Sequence, residues 1–103
     1  MRVISVGVLR DFWAQHSDAE QPLKTWFSTA KKARWASPAD IKAQFGTASI
    51  LQNNRVVFNI GGNKFRLVVV VLYNTYSILI KFIGTHEQYD RIDAQTIEIE
   101  RTR

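Results

Sequence analysis

Lys64, Arg66, Lys81, His86 and Tyr89 are the side chains in this sequence with the chemistry to cut an RNA phosphodiester without a metal. When a 2′-hydroxyl attacks the adjacent phosphorus, one group takes its proton and another protonates the departing 5′-oxygen. Cations must meet the charge that builds on the phosphoryl oxygens. An imidazole such as His86 moves protons near neutral pH, and a phenol such as Tyr89 can donate or accept one. Asn59 and Asn63 stand in the same stretch as amides able to position a nucleotide. Taken singly, each has a plainer account: a solvated imidazole, a tyrosine lying on a sheet, cations at a surface.

The element that must position them is a hairpin. Arg55 to Tyr73 consists of two apolar runs joined at Gly61-Gly62. Glycine adopts the positive φ that tight hairpin turns require. With those two glycines as the loop, Ile60 faces Asn63, Asn59 faces Lys64, Phe58 faces Phe65 and Val57 faces Arg66. Strand side chains alternate, so Val56, Phe58, Ile60, Phe65, Leu67, Val69 and Val71 share one apolar face, which is core. The other face carries Arg55, Val57, Asn59, Lys64, Arg66, Val68 and Val70. A turn over Tyr73–Ser77 leads to a further strand, Ile78–Gly84, whose register puts Lys81 on that second face. No acidic residue occurs from Arg55 to Gly84, so the sequence offers these cations no partner on their own strands.

Before the hairpin the periodicity is helical. Arg2–Ser5 is a short strand with Ser5 as helix cap, and Val6, Leu9, Phe12, Trp13 and His16 fall on one helical face. Asp18 is a second cap candidate. Leu23, Trp26, Phe27 and Ala30 form the next stripe, closed by Lys31, Lys32 and Arg34. Those three cations complement the carboxyl end of the helix dipole and are also candidate RNA contacts. Ser37-Pro38-Ala39-Asp40 starts a third short helix that Gly46 ends. Ser49–Gln52 reads as a strand, with Asn53-Asn54 as a tight turn. Leu67–Leu72 is apolar on both faces, as in a central strand covered on both sides. The expectation is an α+β fold, two or three N-terminal helices on a twisted, mainly antiparallel sheet. One domain spans 1–103: a strand and helices over 1–46, the sheet and active-site segment over 47–93, and a tail over 94–103 that is an edge strand or a frayed end.

Composition narrows the partners. The net charge is +5 and the isoelectric point about 9.9, which favours polyanions. There is no cysteine, so disulfide frameworks and thiolate metal sites are excluded. The apolar run at the amino terminus is too short for a signal peptide or a membrane span, which makes the cytoplasm the expected compartment. His86, Glu87, Asp90 and Asp93 read better as polar turn residues than as metal ligands. No phosphate-cradling glycine loop or serine elbow is present.

Val57-Phe-Asn-Ile-Gly-Gly-Asn-Lys-Phe-Arg-Leu67, with Phe82-Ile-Gly-Thr-His-Glu-Gln-Tyr-Asp90 after the next strand, resembles the HigB toxins of bacterial type II toxin–antitoxin systems, within the wider RelE/ParE-like superfamily. The likeness covers most of the chain. It implies a small endonuclease that cuts mRNA on the ribosome, needs no cofactor, and is neutralised by a HigA antitoxin with a helix-turn-helix domain in a hetero-oligomeric complex. It points to Asn59, Asn63, Lys64 and Arg66 in the hairpin and to His86 and Tyr89 beyond the last strand as functional residues. Lys81 joins them by register. Base and acid stay unassigned between His86 and Tyr89. A non-catalytic binding module, or a toxin of the same fold aimed at a protein such as a topoisomerase, would fit the same composition.

Overall fold

Phe58 is the centre of the core. Trp26 lies 5.4 Å from its ring, Phe45 5.0 Å and Trp35 6.1 Å, the first two edge-on, as aromatic quadrupoles prefer. Around this group a computed structural model, which describes residues 1–99, arranges β1 (Arg2–Ile4), α1 (Gly7–Gln15), a 3₁₀ turn (Ser17–Ala19), α2 (Glu20–Lys32) and α3 (Pro38–Gln44). There follow β2 (Ser49–Ile50), β3 (Arg55–Ile60), β4 (Phe65–Leu72), β5 (Ser77–Thr85) and α4 (His86–Tyr89). The sheet order is β1-β5-β4-β3-β2; every pair is antiparallel except β1 with β5. This is the expected α+β class, with the N-terminal helices packed on the sheet.

The apolar face read from the hairpin is the buried one: Val56, Phe58, Ile60, Phe65, Leu67, Val69 and Val71 all join the core beneath Leu9, Leu23, Trp26 and Ile41. The pairing itself differs from expectation by one step. Ile60 faces Phe65, Asn59 faces Arg66 and Phe58 faces Leu67, so the loop is Gly61–Lys64. Both glycines take positive φ, 62° and 70°. A two-residue loop would have put the Asn63 amide on the apolar face, whereas the four-residue loop leaves Asn63 and Lys64 in water. Because the loop grew by two residues, each strand residue kept its face.

Several caps work differently from expectation. Ser5 has φ 74° and no capping role; its carbonyl accepts from the Val8 amide at 3.1 Å, and α1 begins without a side-chain cap. Asp18 does not cap α2. Ser37 precedes α3 without a side-chain bond; Asp40 instead accepts from the Ala36 amide at 2.9 Å. The Asn53-Asn54 turn is as expected, both residues at φ near 60°.

The second face is covered in part by the tail. Ala94, Ile92 and Ile97 pack with Leu51, Phe82 and Tyr89 over Val57 and Val68. Up to Ile99 the tail is therefore neither an edge strand nor a frayed end but a coil laid across the sheet. The rest of the expected tail, Glu100 to Arg103, lies outside the described residues.

Candidate active site

Two rows of side chains cross the second face. Register aligns Val57, Val68 and Phe82 in one row and Asn59, Arg66 and Gly84 in the next, toward the end of β5. The first row includes two buried valines; in the second, Asn59 and Arg66 are half-buried and Gly84 is buried. Arg66 is half-buried, and its Nη1 donates to the carbonyls of Asn63 at 3.1 Å and Phe65 at 3.3 Å. Asn63 thus serves here through its backbone. The Arg66 guanidinium carbon lies 6.0 Å from the centre of the Tyr89 ring, at the outer reach of a cation–π contact. Among the described residues no carboxylate pairs with Arg66.

A capping box builds the other half. Thr85 Oγ1 accepts from the Gln88 amide at 3.1 Å, and Gln88 Oε1 accepts from the Thr85 amide at 2.9 Å. This reciprocal pair turns the chain into α4 as soon as β5 ends. The Thr85-x-x-Gln88 spacing was legible in the sequence, and it is what aims His86 and Tyr89. The His86 amide donates to the Lys64 carbonyl at 3.0 Å, which ties α4 to the hairpin loop. One turn on, Asp90 Oδ2 sits 3.3 Å from His86 Nδ1. Both side chains are exposed, and their proximity puts a carboxylate beside one face of the imidazole. Asp90, a polar turn residue by its sequence context, stands i, i+4 from His86 on a helical turn, and that spacing is the signal in the sequence for this contact.

Not every expected cation converges. Lys64 sits in the loop, and its Nζ donates to Asp18 Oδ2 at 3.0 Å. That bond holds the Asp18 carboxyl below its ordinary range. Lys81 occupies a bulge between the Val68–Phe82 and Val69–Ile80 pairs, and its Nζ donates to Glu98 Oε1 at 2.6 Å. Arg55, 6% exposed, donates to Glu98 Oε2 at 2.8 Å and to the carbonyls of Ile97 and Ala94. The Lys81 hydrogen bond, then its charge and Arg55, lower the Glu98 pKa. Acids from distant segments therefore meet the charge that no strand acid could: Asp18 lies 46 residues from Lys64, and Glu98 lies 17 from Lys81. Arg66 remains as the cation open toward the row's end.

Lys31, Lys32 and Arg34 are elsewhere. The Arg34 guanidinium stacks 4.4 Å from the Tyr76 ring, immediately before β5 starts, while His86 follows its end. The nine strand residues between them put these two points about 30 Å apart. Lys31 lies over Phe27 at 5.9 Å. Among the described residues no three of His, Cys, Asp and Glu gather as a metal-ligating group, and no helix is long and apolar enough to cross a membrane.

The N-terminal helices pack on one face of the sheet and α4 lies at one end of the other, an α+β fold that accords with a RelE-like toxin. Within that class the chain belongs to the HigB toxin family, the RelE-like toxic component of a toxin–antitoxin system, whose model matches residues 19–92. Membership gives it an antitoxin as partner. It is similar to the mRNA interferase toxin HigB of Escherichia coli K12 and to the mRNA interferases HigB of E. coli O157:H7 and Shigella flexneri. Each is 27% identical over 92 residues, covering 87% of this chain and 88% of the relative.

Proposed function

We propose that this toxin is an mRNA interferase that cleaves messages on the ribosome, by attack of the 2′-hydroxyl on the neighbouring phosphorus and without a metal. The names of its relatives support the substrate and the reaction class. The observation that carries the chemistry is Arg66: a strand-face guanidinium with no carboxylate on it among the described residues, beside the Tyr89 ring and on the same side as α4. In this reading Arg66 binds the scissile phosphate and stabilises the charge that develops on it. His86, with Asp90 beside it, and Tyr89 exchange protons with the 2′-hydroxyl and the 5′-oxygen, and Asn59 positions the nucleotide from the strand opposite Arg66. Lys64 and Lys81 become secondary cations, since each must leave Asp18 or Glu98 to reach a phosphate.

The antitoxin in this reading is a HigA-type helix-turn-helix protein that forms a hetero-oligomer with the toxin in the cytoplasm. The +5 charge supports docking on a polyanionic particle such as the ribosome.

The decisive experiment is the chemistry of the cut ends. Attack by the 2′-oxygen forms a P–O2′ bond and breaks the P–O5′ bond, so the upstream fragment ends in a 2′,3′-cyclic phosphate and the downstream one starts with a 5′-hydroxyl. Purified toxin added to ribosomes programmed with a defined message should give those ends, and naked message should stay intact. Ends bearing 5′-phosphates would overturn the mechanism, and equal cutting of naked message would overturn the ribosome dependence.

A further inference from the structure

We propose that the free edge of β5 beyond β1 is a docking site for the antitoxin, which lays an extended, acidic segment there as a further strand, in the groove between α1 and α4. The proposal rests on the antitoxin that family membership supplies and is independent of the cleavage chemistry.

β5 is nine residues long, and β1 pairs with only the first three, Ser77, Ile78 and Leu79. A φ of 74° at Ser5 turns the chain off the sheet and into α1, so β1 stops at Ile4. Past the bulge at Lys81, the stretch from Phe82 to Thr85 has β4 on one side and, among the described residues, no strand on the other. Antiparallel pairs alternate between hydrogen-bonded and non-bonded, and the His86 amide donates to the Lys64 carbonyl. Counted back along the ladder, Gly84 and Phe82 bond to β4, whereas Thr85 and Ile83 turn their amides and carbonyls outward. The capping box agrees, since the Thr85 amide is the one that donates to Gln88 Oε1. Among the described residues no hydrogen bond from outside the sheet reaches the Ile83 backbone.

This edge is the floor of a groove. Val8 and Phe12 form its α1 wall, Phe82 and Ile92 stand on the α4 side, and all four are half-buried. The floor selects a strand, because a helix has already spent its backbone groups on itself and cannot answer an outward amide and carbonyl. The walls select protein over RNA, being apolar on both sides. Charge selects the antitoxin over a second toxin, since two chains of +5 repel. Asp11 and Arg91, both exposed, stand on opposite walls, which puts the acid of the incoming segment on the α4 side. Its side chains would alternate between Val8 with Phe12 and Phe82 with Ile92, the usual division of strand addition into main-chain affinity and side-chain specificity.

The test uses the full-length toxin and the antitoxin encoded with it. Hydrogen exchange resolved at single amides by NMR should show Ile83 exchanging faster than Phe82 and Gly84 in the free toxin, and protected in the complex. Ile83→Pro removes the outward donor and leaves the bonds to β4 in place, as proline is tolerated on a strand edge. It should weaken binding by about 5- to 150-fold, through the antitoxin carbonyl left unpaired. Gln15→Trp fills the groove from an exposed position and should act in the same direction. Ile50→Lys, on the exposed β2 edge across the sheet, should bind like the parent protein. Thermal melts identify folded variants; if Ile83→Pro does not fold, Gln15→Trp carries the test. An Ile83 amide left unprotected in the complex would overturn the proposal, as would folded groove variants that bind like the parent, or equal weakening by Ile50→Lys. Protection of Ile83 that grows with the concentration of free toxin would give the edge to a second copy of this chain and overturn the antitoxin as its occupant.

Discussion

Two arginine–tyrosine pairs stand near opposite ends of β5, Arg66 with Tyr89 and Arg34 with Tyr76. The second is the tighter, 4.4 Å against 6.0 Å. By charge and aromatic character alone it is the better-formed RNA contact. The difference lies in the company each keeps. Arg66 shares its end of the sheet with an imidazole 3.3 Å from a carboxylate, and with an amide one strand away. Arg34 has Lys31 and Lys32 near it at the end of α2, and the only other histidine in the chain, His16, is stacked on Phe12 at 4.3 Å. A guanidinium and a phenol can hold an anion in either place. The first place adds an imidazole, a general acid or base near neutral pH, and this marks it as the candidate site of reaction and the second as a candidate site of attachment.

The largest effect should follow from removing that group. His86→Ala is expected to lower the single-turnover cleavage rate on programmed ribosomes by about 10²- to 10⁴-fold, the usual range for a general acid or base. Arg66→Ala should cost about 10²- to 10³-fold as a lost charge-stabilising donor. If Arg34→Ala cost as much, the two ends would not differ in kind and the comparison would fail.

Tyr89 sharpens the first end. Tyr89→Ala removes both hydroxyl and ring, and Tyr89→Phe removes the hydroxyl alone. A slow Phe variant assigns a proton to the phenol; full activity in that variant would confine Tyr89 to stacking, worth about 1–3 kcal/mol per base.

Arg34→Ala should raise KM for ribosomes by less than about tenfold with kcat unchanged. It should also reduce the slope of log affinity against log salt by about one, as expected for a phosphate contact. An unchanged slope would remove this end from RNA binding.

The smallest effect concerns the acids that hold Lys64 and Lys81. Asp18 and Glu98 are held below ordinary values of 3.8 and 4.5, so the folded state binds fewer protons there than the unfolded chain does. Their contribution to stability is complete above those values and is lost as pH falls through the lowered ones. Melting temperature should accordingly hold from pH 7 to about pH 5 and decline below about pH 4.5, with a shallower decline in Glu98→Gln. An identical decline in the variant would show that the Glu98 pairs add nothing to stability.

Much of this molecule is legible in its sequence. Alternation assigned each hairpin residue to its face, and the error in loop length left those assignments intact because the change was an even number of residues. The Leu23–Trp26–Ala30 stripe and the Asn53-Asn54 turn were equally readable, since each depends on neighbours a few residues away. The loop register was not, because two glycines with positive φ suit either loop length; keeping Asn63 out of the core decides between them. The partners of Lys64 and Lys81 were not legible either. Local spacing says nothing about a carboxylate 46 residues earlier, or about one delivered by a tail that crosses the sheet.

By itself, then, the sequence determined the class of fold, the two faces of the hairpin and the residue types gathered toward the end of β5, because periodicity and turn chemistry act within a few residues. Which cations remain open, that β1 pairs with only part of β5, and that Lys31, Lys32 and Arg34 lie some distance from His86 were decided by tertiary structure alone. Charge pairing and strand pairing depend on which distant segments meet, and only the folded chain brings them together.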